Sequence, residues 1–292
     1  MNVTEKQMFK RVLGVLVCAV LLFSAGCTPP LDLSDLITED TTVLTDPNGN
    51  AIPVYSDVAL SALDPSLFIP DENGRMTYAD DAVKMYTGVD VSVFQGEIDF
   101  QKVKADGVDF VMLRAGYRGY GPQGVINEDA NFKKNYENAI AAGLKVGVYF
   151  FSQAVSVQEA KEEADFVLSL ISGLEITYPV AYDWERIDYD TARTDGLDNE
   201  TITDCALGFC DTVAEAGYPS VIYFNRSLGY FSYDLSKVRN HYFWLAEYGA
   251  SPSFIYDFRI WQYTDAGTVD GISGIVDINI SITDFSESES VG

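Results

Sequence analysis

Two acidic residues follow a stretch of chain that otherwise has the composition of a buried β-strand. The segment "YPVAYDWER" spans residues 178–186, and its apolar first half leads into Asp183 and Glu185, which one tryptophan separates. Burying an ionised carboxylate without a partner is unfavourable. Alternate residues of a strand face the same side, so the two carboxyl groups would share one face, with their Cα atoms about 6.6 Å apart. We therefore interpret this strand end as a site of chemistry.

Neighbouring carboxyl groups are suited to acid–base catalysis. Each negative charge raises the pKa of the other group, so one group stays protonated near neutral pH while the other is ionised. Cleavage of an acetal needs such a pair, because an acid protonates the leaving oxygen while an anion faces the developing oxocarbenium ion. An isolated Asp-x-Glu is usually a solvated loop, so the interpretation depends on what else the fold brings to this strand end.

Two further aspartates stand in apolar runs that we interpret as strands. Asp90 lies in "GVDVS" and Asp277 in "GIVDIN", where we place the ends of the first and last strands of the domain. Barrel active sites form where the C-terminal ends of strands converge, so we expect both aspartates to meet Asp183 and Glu185 at one rim. Chelation of a hard cation such as calcium by the four carboxylates is an alternative.

Aromatic residues recur at or just after the predicted strand ends, where flat rings would offer apolar walls to sugar rings. They are Tyr117, Tyr120, Tyr149, Phe151, Trp244, Tyr248, Trp261 and Tyr263. Inward-facing rings also fill barrels, and we assign that role to Phe151 and Trp184. We assign Trp244, Trp261 and Tyr263 to a binding surface.

The elements that would position these residues alternate between short apolar runs and helix-like segments. Strands are predicted over 88–92, 109–115, 145–151, 179–184, 220–224, 243–246, 259–263 and 275–278. Helices are predicted within 127–143, 156–173 and 199–217, each of which ends at a glycine. Helical periodicity fades after Phe224. The predicted fold class is α/β, an irregular (β/α) barrel that is TIM-barrel-like with a helix-poor second half.

The chain before the barrel has two parts. Residues 1–26 carry early positive charges and an uncharged run over 12–26, and "SAGC" then ends at Cys27. This resembles a bacterial lipoprotein signal, which implies lipidation of Cys27 and a protein anchored by lipid to the membrane at the bacterial cell surface. An ordinary secretory signal or an uncleaved anchor are alternatives. Residues 27–86 are acidic and rich in turn formers, and we interpret them as a tether that ends in a small hairpin.

Composition excludes several functions. The net charge of −25 repels phosphate backbones, so no nucleic acid partner is expected. Cys205 and Cys210 are about 140° apart around one predicted helix, so they are interpreted as buried thiols. His241 is the only histidine, and the sequence has no nucleophile elbow, zinc-binding cluster, Walker loop or dinucleotide fingerprint. We expect no metal and no cofactor.

Four segments in order resemble motifs of the glycoside hydrolase family 25 lysozymes, the Chalaropsis-type N-acetylmuramidases. They are "GVDVSVFQG", "VAYDWE", "FWLAEY" and "IWQYTDAGTVDGISGIVDIN". The resemblance covers the predicted barrel, 87–286, and leaves 287–292 as a tail. It implies hydrolysis of the β-1,4 bond between N-acetylmuramic acid and N-acetylglucosamine in peptidoglycan strands, without metal or cofactor.

The resemblance also implies roles for residues. Glu185 would be the proton donor, and Asp183 the nucleophile or the group that steadies a substrate acetamide. Asp90 and Asp277 would line the cleft. The residues predicted to contact substrate, from the motifs and from the aromatic pattern, are Gln95, Tyr149, Trp244, Tyr248, Trp261, Gln262, Tyr263 and Asn279. We expect a monomer. The alternatives are a chitinase-like or glucosaminidase barrel, or a non-catalytic glycan-binding lipoprotein.

Overall fold

The structure is a computed structural model that describes residues 41–45 and 51–286. The predicted signal segment 1–26, Cys27 and the tail 287–292 lie outside the described residues. Within the described part of the chain, no helix has the length and apolar character needed to cross a bilayer.

The first described residues form two hairpins, where the sequence predicted a tether with one. Strand β1 (Thr41–Thr45) pairs antiparallel with β2 (Ala51–Tyr55), and β3 (Phe68–Pro70) pairs antiparallel with β4 (Met76–Tyr78). The second hairpin turns at Gly74, whose φ of 77° favours glycine. Buried side chains tie this segment to the main core: Ile52, Tyr55, Val58, Phe68 and Met76. Residues 51–78 are therefore part of the folded body.

Nine further strands follow, and eight of them close a barrel. They are β5 (Tyr86–Val91), β6 (Phe110–Arg118), β7 (Ile126–Glu128), β8 (Lys145–Ser152), β9 (Val180–Trp184), β10 (Ser220–Asn225), β11 (Tyr242–Ala246), β12 (Ile260–Gly267) and β13 (Val276–Ser281). The sheet runs in the order β5-β13-β12-β11-β10-β9-β8-β6, and pairing of β5 with β6 closes it. Strand β7 adds to β6 outside the ring.

The last barrel strand runs in the direction opposite to its neighbours. The other seven barrel strands pair in parallel with one another, whereas β13 pairs antiparallel with both β12 and β5. The prediction that Asp277 ends its strand is therefore wrong, because it is the second residue of β13. The connection 268–275 is too short for the crossover that a parallel strand needs, so the chain turns back. This reversal still brings Asp277 to the common rim, opposite Asp90 in the register.

The helices are concentrated in the first half of the barrel. They are α1 (Phe100–Ala105), α2 (Phe132–Ala141), α3 (Val157–Ile171), α4 (Asn199–Glu215), α5 (Arg226–Phe231) and α6 (Leu235–Val238). Ser156 and Asp198 cap the two longest helices by accepting backbone N–H bonds. The predicted α/β barrel with a helix-poor second half is confirmed. Cys205 and Cys210 are buried free thiols in α4, as predicted.

The barrel interior is packed at the end where its parallel strands begin. Phe110 stacks on Tyr178 with ring centroids 4.3 Å apart, and Phe285 lies edge-on to Tyr178 at 5.5 Å. A Cβ atom at Gly88 would lie 2.2 Å from the Phe110 ring, so only glycine leaves room for it. This aromatic floor leaves the polar side chains at the opposite end of the strands.

Candidate active site

Strand β9 presents Asp183 and Glu185 to the same end of the barrel interior. Asp183 is 6% exposed, and Glu185 follows directly after the strand. Trp184 faces the outer shell, where its ring lies edge-on to Tyr233 at 6.4 Å. Gln153 donates from Nε2 to the Glu185 carbonyl oxygen at 3.0 Å, and this bond holds the backbone at the turn out of the strand.

Asp90 is the centre of a hydrogen-bonded network. Its Oδ2 accepts from Gln262 Nε2 at 3.0 Å and from Asn279 Nδ2 at 2.8 Å. Asp277, its partner in the β5–β13 register, makes a side-chain hydrogen bond with it. Two ionised carboxylates cannot share a hydrogen bond, so one of this pair carries a proton.

Burial raises the pKa of all four acids, and neighbouring carboxylates add to the rise at Asp183, Glu185 and Asp277. Burial raises the pKa of Glu185 to about 7, with the charges of Asp90 and Asp188 adding to the rise. Burial and then the Asp90 charge raise the pKa of Asp277 to about 9, so Asp277 carries the shared proton at neutral pH. The pKa of Asp183 is raised by burial and by Glu185. Burial also raises the pKa of Asp90, against the hydrogen bonds from Asn279 and Gln262.

Aromatic donors orient the two amides that bind Asp90. The hydroxyls of Tyr223 and Tyr248 both donate to Gln262 Oε1 at 3.0 Å. Trp244 Nε1 donates to Asn279 Oδ1 at 2.8 Å. With each amide oxygen occupied in this way, each amide nitrogen is turned toward Asp90. Sequence reasoning missed Tyr223, because it stands inside "SVIYFN", which has the composition of a core strand.

Arg114 is a cation beside the acids that sequence reasoning also missed. Its Nε and Nη2 bond to Asp129 Oδ2 at 2.8 and 2.7 Å, and its guanidinium lies 4.7 Å from the Phe94 ring centroid. Burial raises the pKa of Asp183, and the charge of Arg114 opposes that rise. The available signal was an arginine inside a predicted strand, "FVMLRAG", that is otherwise apolar.

One oxygen of the catalytic candidates has no partner. Among the residues that the structure describes, Asp183 Oδ1 is buried and accepts no hydrogen bond. An unsatisfied buried acceptor is costly, and such atoms are characteristic of catalytic positions. The Asp183 carboxylate is therefore available to a substrate.

Most of the predicted contact residues surround these acids, but Gln95 serves a local cap. Tyr149 lies edge-on to Trp244 at 6.2 Å and is partly buried near Asp90 and Asp183. Tyr248 is 54% exposed at the rim. Gln95 accepts a bond from Ser92 N at 2.8 Å, which closes a capping box just after β5.

The structure corrects the positions of Trp261 and Tyr263. Gln262 faces the interior, so its two neighbours on β12 face outward. Trp261 is fully buried against Phe68 at a centroid distance of 4.9 Å, and Tyr263 Oη accepts from Met76 N at 3.4 Å. The N-terminal segment covers both rings, so neither forms a wall of this site.

Two alternative chemistries find no support in the geometry. Among residues 41–45 and 51–286, no group of three His, Cys, Asp or Glu side chains is placed to hold a metal ion. His241 Nδ1 lies 2.7 Å from Ser220 Oγ, and its Nε2 lies 3.0 Å from Asp211 Oδ1. Ser220 is buried at the start of β10, at the barrel end opposite the acids, so it is not a nucleophile open to substrate.

Comparison with known proteins matches residues 89–272 to the family described as glycosyl hydrolases family 25. An autolytic lysozyme of Clostridium acetobutylicum is 31% identical over 207 residues, which cover 70% of this chain and 57% of that protein. Lysozyme M1 of Streptomyces globisporus is 29% identical over 205 residues, which cover 66% of each chain. The chain thus spans less than two thirds of the length of either relative.

A solved structure is also similar to this chain in fold and in sequence. The bacterial lysozyme from Streptomyces coelicolor has a TM-score of 0.52 and 26% identity to this chain, over 66% of this chain and 90% of that one. The region matched by the family contains Asp90, Asp183 and Glu185, and it makes up more than half of the sequence. The chain therefore belongs to the glycosyl hydrolases family 25.

Proposed function

We propose that this chain hydrolyses peptidoglycan at the β-1,4 bond between N-acetylmuramic acid and N-acetylglucosamine. The observation that carries the proposal is the pairing of Glu185, whose pKa is raised to about 7, with the unpartnered Oδ1 of Asp183 at the same end of the barrel. Family membership and two relatives named as lysozymes support the same reaction.

In this reaction Glu185 donates its proton to the glycosidic oxygen as the bond breaks. Asp183 acts as the anion, either by attacking the anomeric carbon or by steadying a substrate acetamide that attacks in its place. Arg114 favours the ionised form of Asp183. Asp90 and Asp277 hold one proton between them, so this pair contributes a single negative charge beneath the sugar.

The test is mass spectrometry of the muropeptides that the protein releases from purified sacculi. We expect reducing N-acetylmuramic acid at the new ends, and a loss of about 10²- to 10⁴-fold in Glu185→Gln. Leu60→Ala, a change at an exposed residue of the N-terminal segment, serves as the matched control. Reducing N-acetylglucosamine would identify a glucosaminidase instead, and sacculus binding without any new reducing ends would identify a glycan-binding protein.

We also propose that Cys27 carries a lipid that anchors the chain at the bacterial cell surface. The support is the sequence, in which an uncharged run over 12–26 leads to "SAGC". We expect the protein to incorporate an alkyne-labelled fatty acid in a bacterial host. Cys27→Ser should lose the label, and an unchanged label in that variant would overturn the proposal.

We propose further that the protein acts as a monomer, since one chain supplies all the acids of the pocket and their hydrogen-bond partners. Light scattering after size-exclusion chromatography tests this, and a dimer mass would contradict it.

A further inference from the structure

A pair of tyrosines stands on the rim beside the proposed acid. Tyr189 follows Glu185 by four residues, and its side chain is 55% exposed. The Tyr120 ring meets it edge-on, with centroids 6.0 Å apart and planes at 87°. Burial raises the pKa of Tyr189, and the Glu185 charge adds to that rise, so the phenol lies within electrostatic reach of the acid.

Hydrogen bonds join the two loops that carry this pair of tyrosines. Loop 119–125 follows β6, and loop 185–198 follows β9. Arg193 N donates to the Tyr120 carbonyl oxygen at 2.8 Å, and Arg193 Nη2 donates to Glu159 Oε1 on α3 at 2.7 Å. The Tyr120 hydroxyl points to Asp190 Oδ2 at 3.4 Å. These bonds hold Tyr120, and the Tyr120 ring in turn supports Tyr189 through their edge-on contact.

Close packing between the loops depends on one glycine. A Cβ atom at Gly124 would lie 1.7 Å from Arg193 Nη1, and the φ of Gly124 is +53°. Arg118 Nη1 donates to the Gly124 carbonyl oxygen at 2.8 Å. Because residue 124 has no side chain, the guanidinium of Arg193 can pack closely against its backbone.

We propose that Tyr189, held edge-on by Tyr120, stacks against a pyranose ring of the glycan strand next to the bond that Glu185 cleaves. The inference rests on the proposed function. The apolar C–H face of a pyranose complements the electron-rich face of an aromatic ring. A chain with a net charge of −25 gains no long-range attraction from an anionic cell wall. Its binding to the glycan strands therefore has to come from short-range contacts.

The proposal predicts a loss of polymer binding without a loss of chemistry. In an otherwise active chain, Tyr189→Ala should raise KM for sacculi about 5- to 10-fold, the size of one lost aromatic contact, while kcat changes less than twofold. Tyr120→Ala should have a similar effect. The double variant should be little worse than either single variant, because the two rings act as one unit.

The deciding experiment measures sedimentation with purified sacculi in the Glu185→Gln background, where turnover is blocked. We expect Tyr189→Ala to weaken binding at least fivefold, Tyr189→Phe to restore it because the ring is kept, and Leu60→Ala to match the parent. Binding of Tyr189→Ala within twofold of the parent would overturn the inference. Because this assay needs no turnover, failure of the proposed hydrolysis would appear separately, as an absence of new reducing ends with the unmodified protein.

Discussion

The protonation state of each acid in this site depends on the groups that surround it. Asp277 is hydrogen-bonded to Asp90 and carries a proton at neutral pH. Asp183 has Arg114 within electrostatic reach, whereas the charges that act on Glu185 are those of Asp90 and Asp188. Burial raises the pKa of both Asp183 and Glu185, and Arg114 opposes the rise at Asp183. Glycoside cleavage requires an ionised Asp183 beside a protonated Glu185, and Arg114 is the neighbouring group that favours this division.

The first prediction concerns the alkaline limb of the pH–rate profile. Glu185 has to be protonated to act as an acid, so release of reducing ends should fall as the pH rises through about 7. Initial rates on sacculi, taken in steps of about one pH unit from about pH 4 to about pH 9, would measure this limb. A rate that continues to rise through about pH 8 would exclude Glu185 as the acid.

The second prediction concerns the pH dependence of stability at Asp277. Its pKa is about 9 in the folded state, against an ordinary value of 3.8, so the folded chain binds the extra proton between these values. Stability from this group is complete at low pH and is lost as the pH rises toward 9. Asp277→Asn keeps a donor to Asp90 and removes that dependence. We expect thermal unfolding at about pH 8 to show the variant stabilised by about 1–3 kcal/mol, with the gap closing near about pH 4.

Equal stability of the two proteins at about pH 8 would contradict the raised pKa of Asp277. Asp277→Glu is the matched control, because it keeps an ionisable group at the same position. Its stability should still decline as the pH rises.

The third prediction concerns Arg114. Removing its charge in Arg114→Gln should let the pKa of Asp183 rise further, so the acid limb of the pH–rate profile should move to higher pH. We expect kcat at neutral pH to fall about tenfold or more. Arg114→Lys keeps the charge and should shift the limb less. If the acid limb of the pH–rate profile does not move in Arg114→Gln, the role of Arg114 is limited to its contacts around Asp129.

At the scale of elements, the sequence predicted the strands well and the direction of one strand poorly. All eight barrel strands overlap the predicted segments, because apolar runs between turn signals are local features. The direction of β13 depends on the length of the connection before it and on closure with β5, which strand periodicity does not encode. The convergence of Asp90, Asp183, Glu185 and Asp277 was predictable from their places near strand ends.

The misplaced aromatics have a related cause. Alternation along β12 puts Trp261 and Tyr263 on one face and Gln262 on the other, but the pattern alone does not say which face is inside. The second N-terminal hairpin covers the aromatic face of β12, so Gln262 faces the barrel interior. Arg114 and Tyr223 were missed because each lies within an apolar strand, with no motif around it.

The fourth prediction tests the packed floor of the barrel. Gly88→Ala would force a methyl group against the Phe110 ring, so we expect a loss of about 1–3 kcal/mol in the free energy of unfolding. Gly121→Ala is the control, because its nearest neighbour would be 3.9 Å away. Chemical denaturation measures both variants, and equal stabilities would contradict the tight packing of the floor.

At the scale of the whole molecule, the folded body is larger than the region matched by the family. The match begins at residue 89, yet residues before it bond to the barrel. Tyr55 N donates to Tyr256 Oη at 2.7 Å, and Ser61 N donates to the Ile255 carbonyl oxygen at 2.9 Å. The second N-terminal hairpin also contacts Trp261 and Tyr263, so it acts as a cover for the outer face of β12.

The fifth prediction tests this cover. Phe68 is buried against Trp261, so Phe68→Ala should lower the free energy of unfolding by about 3 kcal/mol or more. The adjacent Ile69 is 45% exposed, and Ile69→Ala should cost less than about 0.5 kcal/mol. Neither change should alter kcat, since both residues lie away from the acids. Equal unfolding midpoints for the two variants would show that the cover adds no stability.

The aromatic floor closes one end of the barrel and leaves the acids at the other end. Phe110, Tyr178 and Phe285 fill one end of the interior, so under the proposed hydrolysis substrate and water would reach the acids, and products would leave them, at the opposite end. Under the proposed function, products would leave by the route that new glycan strands take. Turnover on an intact wall should accordingly slow as soluble pieces accumulate, and dialysing them away should restore the initial speed.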